Sequence, residues 1–140
     1  GRMDIMVTGK QRYTLLSLRE GEESYYVGVV EYFADAEDEP VDSLLRAECI
    51  KLYNELIEIV YPGSAEEYIL DVASDRVASF IIAQKAGLDI LRKQELLETR
   101  SETRRLEVLQ EYMERLLPDL REKRRIQDVI MSDGYIPNHK

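Results

Sequence analysis

The chain has 140 residues and a formal net charge of −9, with 44% apolar and 34% charged residues. This length suits one domain, or two small subdomains with a shared core. No apolar run reaches the roughly 18 to 20 residues that span a bilayer, and no secretory signal pattern is present, so we expect a cytoplasmic protein without a membrane partner. The negative charge also argues against nucleic acid as a partner.

Two local features have simple structural explanations. The basic cluster in residues 121–125 is interspersed with acids, which is typical of a solvated helix face. The only cysteine, Cys49, cannot form an internal disulfide, and it falls on the apolar side of a predicted helix. We therefore expect Cys49 to be a small core residue.

The first forty residues show the period-two alternation of β-strands. We predict three antiparallel strands, over residues 2–8, 12–18 and 25–33, joined by tight turns. The third run has apolar side chains on both faces, so we expect both faces to be at least partly covered. The aromatic residues of this run that are candidates for binding a partner are Tyr25, Tyr26, Tyr32 and Phe33. Ordinary strand packing is the simpler explanation for each of them.

An acidic segment, residues 35–42, separates the predicted sheet from the predicted helices. It contains Pro40 but lacks the central glycine and closing glutamate of a calcium loop, so we expect no metal there. We therefore predict two parts, an antiparallel meander over residues 1–40 and a helical bundle over residues 41–140. The predicted fold class is α+β.

Apolar residues after the linker recur at steps of three and four, which is typical of helices. The shorter predicted helices cover residues 41–61, 65–72, 75–86 and 90–98. The first of them has a wide apolar stripe, which predicts heavy burial. The residues expected at their ends are Ser64, Ser74 and Asp89 as N-caps and Gly87 as the residue after the third helix. The residues expected to be buried in the last two are Val77, Phe80, Ile81, Ile90, Leu91 and Leu96.

The longest helical pattern runs from Ser101 to about Ile130, and Thr99 competes with Ser101 as its N-cap. Pro118 should kink this helix or divide it. The residues expected on its buried face are Leu106, Leu109, Met113, Leu116 and Leu120. This stripe can dock onto its own domain or bind a second copy of the chain.

No catalytic constellation is present in the sequence. The only histidine, His139, is next to last in the chain, and there is no P-loop, G-x-S-x-G turn or Cys/His cluster. Ser79 and Lys85 lie on neighbouring helical turns, but a serine in such a stretch is usually a packing residue. We therefore expect no enzyme activity, no cofactor and no catalytic or metal-binding residue.

Three passages cover nearly the whole chain and carry a family resemblance. They are GRMDIMVTGKQRYTLL, SYYVGVVEYF and SDRVASFIIAQKAGLDILRKQELLETRSETRRLEVLQEYMERL. Their most specific part is a Gln-x-Leu-Leu-Glu group at Gln94 to Glu98, followed by Arg105-Leu106 near the beginning of the long helix. These passages, in this order, resemble the later part of the amino-terminal domain of Lon-type ATP-dependent proteases.

The resemblance implies a PUA-like β-barrel followed by a helical bundle, and a role in recruiting protein substrates and assembling a hexamer. The chain lacks the nucleotide-binding loop and the Ser/Lys protease domain of the full enzymes, so we expect a stand-alone, non-catalytic module. It also lacks the family's first strands, so we expect residue 1 to be a truncation boundary. We expect the exposed sheet edge to be paired, most simply by a second copy of the chain.

The leading functional hypothesis is a module that binds unfolded or specific protein segments. The alternative is a structural domain that self-associates through its helices or its open sheet edge, with a homodimer as the simplest assembly. RNA binding would suit the barrel type, but the net charge of −9 argues against it.

Overall fold

The computed structural model describes residues 3–20, 25–36, 40–73 and 77–133. It divides into two compact units, residues 1–38 and residues 39–140. Over the described ranges, an antiparallel sheet precedes four α-helices, and the last helix is the longest. The fold class is α+β, as the sequence predicts.

The first unit is a β-hairpin. Strand β1 (Arg12–Glu20) pairs with strand β2 (Tyr26–Phe33), and the register is shifted by a bulge between Leu15 and Ser17. The first predicted strand, over residues 2–8, is wrong, because residues 3–11 contain no strand. Alternation of apolar residues supplies a strand with an apolar face, but a strand also needs a hydrogen-bonded partner. The expectation that both faces of β2 are covered is wrong as well, since most of its residues are exposed.

The second unit begins with helix α1 (Ser43–Val60). The side chain of Asp42 caps it by accepting hydrogen bonds from the backbone N–H groups of Leu44 and Leu45, at 2.8 and 3.4 Å. The buried face of α1 is wide, as its broad apolar stripe predicts. The buried residues of α1 are Cys49, Ile50, Leu52, Tyr53, Leu56 and Ile57.

The next segment is less helical than its sequence suggests. Residues 65–72 were expected to form a helix, but only one 3₁₀ turn forms, at Ala65–Glu67, and the Ser64 side chain does not cap it. Two acids in the first turn favour a helix. A helix of only one or two turns, however, gains too few backbone hydrogen bonds to offset the free-energy cost of nucleation. The side chain of Asn54 instead holds the following segment, because it bonds both the N–H and the C=O of Leu70 at 2.9 Å.

Helix α2 (Ala78–Lys85) begins later than expected, and the predicted cap Ser74 lies outside the described residues. Gly87 follows its C-cap with a positive φ of 81°, which confirms its predicted position. The predicted buried set is wrong, since Val77 is exposed and Phe80 and Ile81 are only partly buried. The residues that α2 does bury are Ala78, Ser79, Ile82 and Ala83. These mostly small side chains let α2 approach the other helices closely.

Helix α3 (Ile90–Glu98) is capped by Asp89, whose carboxylate accepts from the N–H of Arg92 at 2.9 Å. This cap and the burial of Leu96 confirm the prediction. The expected burial of Ile90 and Leu91 is wrong, because both are more than three-quarters exposed. Only one face of this short helix meets the core, and those two residues lie away from it.

Helix α4 (Glu102–Asp133) is continuous through Pro118. Pro118 and Glu114 are both exposed, so water can satisfy the carbonyl that loses its helical partner. Ser101 is the N-cap, since its Oγ accepts from the N–H of Arg104 at 3.2 Å. The fully buried apolar residues of α4 are Leu106, Leu109, Met113 and Leu117. The predicted Leu116 and Leu120 are only partly buried.

Cys49 is completely buried and confirms its prediction as a core residue. Its Sγ donates to the backbone carbonyl of Leu106 at 3.3 Å, which ties α1 to α4. Burial, assisted by the negative charges of Glu102, Glu114 and Glu48, raises the pKa of this thiol to about 12. The thiol therefore stays protonated near neutral pH and is a poor nucleophile.

Candidate functional site

The two faces of the hairpin differ in charge. Pairing of Tyr13 with Tyr32, Leu15 with Val30 and Leu18 with Gly28 puts a set of apolar side chains on one face. We call this set the hairpin apolar face: Tyr13, Leu15, Leu18, Tyr26, Val30 and Tyr32. The opposite face carries the charged residues Arg12, Arg19 and Glu31.

The hairpin apolar face is exposed but ordered by internal contacts. Tyr13 and Tyr32 are 54% and 60% exposed, and their rings meet edge to face with centroids 6.2 Å apart. The hydroxyl of Tyr26 donates to Glu20 at 3.1 Å. The side chain of Leu15 packs beside the backbone of Gly28, where an added Cβ would stand 3.0 Å from the Leu15 Cδ1 atom. The result is an exposed apolar surface that includes aromatic rings.

The four aromatic residues that the sequence offered as candidates do not lie on one face in the structure. Tyr26 and Tyr32 lie on the hairpin apolar face, whereas Phe33 lies on the other face and is partly buried. The guanidinium of Arg12 stands 4.9 Å from the centre of the Phe33 ring and pairs with Asp35. Tyr25 precedes β2 and is 62% exposed.

Sequence reasoning missed four members of this face as binding candidates, Tyr13, Leu15, Leu18 and Val30. Tyr13 lies in the predicted strand over residues 12–18. Its spacing from Leu15 signals a shared face, but Leu18 joins them only because the bulge at Leu16 shifts the alternation by one residue. A bulge of this kind has no clear signature in the sequence.

The most tightly bonded polar group in the second unit joins α2 to α4. Glu102 accepts from the N–H of Ser79 at 3.0 Å and from its hydroxyl at 2.5 Å. The buried guanidinium of Arg105 donates to Glu102 at 2.7 Å, to the Ser79 hydroxyl at 2.9 Å and to the carbonyl of Thr99 at 2.6 Å. This arrangement stabilises the bundle and keeps the Ser79 hydroxyl occupied.

Ser79 and Lys85 do not form a catalytic dyad. The ammonium of Lys85 stands 4.6 Å from the centre of the Tyr68 ring, whereas the Ser79 hydroxyl contacts Glu102 and Arg105. Within the described residues, no group of three His, Cys, Asp or Glu side chains could hold a metal ion. His139 and the acids at 37–39 lie outside those residues.

The last turns of α4 expose apolar residues at helical spacing. The exposed fractions of Ile126, Val129 and Ile130 range from 50% to 67%. The neighbouring basic residues form ion pairs, including a bidentate pair between Arg121 and Glu55 of α1 at 2.5 and 2.8 Å. This pair lowers the pKa of Glu55. The basic cluster is thus largely a solvated, paired helix face, as the sequence predicts.

A family model described as the ATP-dependent protease La (LON) substrate-binding domain matches residues 1–115. The chain belongs to this family. The match takes in the whole hairpin and most of the helical unit, and it confirms the resemblance seen in the sequence. The Lon substrate-binding domain is a non-catalytic module. The exposed apolar residues at the end of α4 lie beyond the matched range.

The comparison with curated proteins and the comparison with solved structures gave no match to this Lon domain. None of its described helices is both long enough and apolar enough to cross a membrane.

Proposed function

We propose that the chain is a non-catalytic module that recruits protein substrates or partners by binding exposed polypeptide segments on the hairpin apolar face. The observation that carries this proposal is the cluster of three exposed tyrosines and three aliphatic residues on one side of β1 and β2. Membership in a substrate-binding family supports the same conclusion.

The chemistry of this face suits segments that a folded protein would bury. Tyrosine offers a large apolar area with few rotatable bonds and a hydroxyl that stays wet, so it is enriched at protein interfaces. Among the paired residues of β1 and β2, Glu20 is the only charged residue on this side, and its carboxylate is bonded to Tyr26. An apolar segment can therefore cover the face without burying an unpaired charge.

Tyr32→Ser should weaken binding to unfolded protein about tenfold, because an aromatic residue that anchors an interface typically contributes about 1–2 kcal/mol or more. The probe is reduced and carboxamidomethylated lysozyme, which cannot refold, with native lysozyme as the control ligand. The measurement is the dissociation constant from fluorescence anisotropy.

Tyr25→Ser is the matched control variant, because Tyr25 has nearly the same exposure as Tyr32 but lies outside β2 and off the hairpin apolar face. Binding by Tyr25→Ser should stay within about twofold of the parent chain. Equal losses in the two variants, or equal binding of native and unfolded lysozyme, would contradict the proposed role of this face.

A second candidate function is self-association through the end of α4. Three exposed apolar residues at helical spacing favour self-association: Ile126, Val129 and Ile130. Exposed apolar residues at steps of three and four often form the contact between two helices. If α4 mediates association, the chain should be an oligomer in sedimentation equilibrium, and Ile130→Glu should weaken association by about tenfold or more.

The matched control is Ile90→Glu, which adds the same charge at an isoleucine of α3 that is also mostly exposed, 78% against 67% for Ile130. Ile90→Glu should leave the association constant unchanged. If the parent chain is a monomer at the concentrations of the binding assay, self-association is contradicted and the proposal of a binding module remains.

A further inference from the structure

The two outer edges of the hairpin differ in their suitability for pairing. The β1 edge is interrupted by the bulge at Leu16, and β1 carries the charged residues Arg12, Arg19 and Glu20. Strand β2 runs for eight residues without a bulge, proline or lysine, and Glu31 is its only charged residue. Bulges, prolines and charged side chains are the features by which exposed sheet edges avoid pairing. The β2 edge lacks almost all of them.

The β2 edge presents backbone groups that only an extended chain can satisfy together. Among the described residues, β2 pairs with β1 alone, so residues 26–32 carry a row of N–H and C=O groups along the other side of the strand. A segment in extended conformation matches this row, with one residue of the segment beside each residue of β2. A helix has no free backbone donors or acceptors for it.

The side chains and the net charge restrict the segment further. Tyr26, Val30 and Tyr32 of β2 lie on the hairpin apolar face, so every second residue of an added strand would extend that face and should be apolar. The chain carries a net charge of −9, which attracts basic segments and repels acidic ones. Basic residues at the ends of the segment would complement this charge without entering the apolar face.

We propose that residues 26–32 of β2 bind an extended segment of another protein as a third strand, and that the segment has apolar residues at alternate positions and basic residues at its ends. This proposal rests on the proposed function and specifies how substrate segments are held.

The test uses the full chain and a synthetic peptide in which valine and threonine alternate between two pairs of lysines. An added strand uses only every second amide of the peptide for pairing. Methylating one alternate set of peptide nitrogens should therefore weaken binding by at least about tenfold, or ~1.4 kcal/mol, and methylating the other set should change the Kd by about twofold at most. Replacing the lysines by glutamates should weaken binding by about tenfold or more at low salt.

Hydrogen exchange of the full chain with bound peptide locates the contact. Slower exchange at alternate amides of residues 26–32, with unchanged exchange along the outer edge of β1, is the expected result. Protection on the β1 edge instead, equal effects of the two methylated peptides, or equal binding of the lysine and glutamate peptides would overturn the proposal.

Two other outcomes distinguish the possible failures. If unfolded lysozyme binds but the alternating peptide does not, strand addition is wrong and the proposed function stands. If neither binds, the proposed function fails with it. If the chain is a dimer whose residues 26–32 are already protected without peptide, a second copy occupies the β2 edge and the proposal is overturned.

Discussion

Arg105→Ala is expected to lower the free energy of unfolding by about 3–5 kcal/mol, because it removes one partner of a buried ion pair and leaves the other without compensation. The Arg105 side chain is fully buried, and the Glu102 side chain is 13% exposed. Glu102 then keeps only its hydrogen bonds from Ser79, with no cation beside it among the described residues. The substitution also removes the donors to the Ser79 hydroxyl and the Thr99 carbonyl, and the contact of the guanidinium with the Phe80 ring at 4.4 Å. Urea denaturation followed by circular dichroism measures the change.

Arg104→Ala is the control, because Arg104 is the adjacent residue on α4 and also pairs with a glutamate three residues away. Its partner is Glu107, at 2.8 Å, and its side chain is 66% exposed. An exposed pair of this kind contributes about 0–1 kcal/mol. Similar losses in the two variants would show that the buried group at the α2–α4 contact does not hold the bundle together.

Leu117→Ala is expected to lower the free energy of unfolding by about 2–5 kcal/mol, because it leaves a cavity in the core. Leu117 is 1% exposed and belongs to the same buried cluster as Met113 of α4 and Ile57 of α1. Alanine is a good helix former, so the loss would come from packing and not from helix propensity. The urea midpoint, with an unchanged m-value, measures the effect.

The matched control is Leu116→Ala at the neighbouring position. Leu116 is only partly buried at the edge of the cluster, so its truncation should cost about 1 kcal/mol. The pair of variants also compares the sequence with the structure, because the sequence assigns Leu116 to the buried face and the structure assigns Leu117. A larger loss for Leu116→Ala would favour the face read from the sequence.

The sequence predicted the elements whose determinants are local. The Asp89 side chain reaches the N–H of Arg92 within its own helical turn, and Gly87 adopts a positive φ at no steric cost, so both helix ends can be read from neighbouring residues. The wide apolar stripe of α1 predicted its heavy burial for the same reason. The order of the strands and helices, with the quoted passages, was sufficient to recognise the Lon substrate-binding domain.

Local rules failed where a choice depended on distant residues. Ile90 and Leu91 are as apolar as Leu96, but only the side of α3 that faces the bundle is buried. Residues 3–8 alternate like a strand but pair with no strand among the residues that the structure describes. Of the two outcomes expected at Pro118, division of the long helix is wrong, since α4 continues through it, and a kink stays a prediction.

The sequence by itself determined the α+β class, most helix ends, the core position of Cys49 and the family. Only the tertiary structure placed Leu18 on the same face as Tyr13 and Leu15, because the bulge at Leu16 shifts the alternation along β1 by one residue. Only the tertiary structure gave Arg105 a buried role, because its partners Ser79 and Thr99 belong to other segments of the chain. Register and burial depend on contacts between residues far apart in sequence, whereas caps and periodicity depend on neighbours.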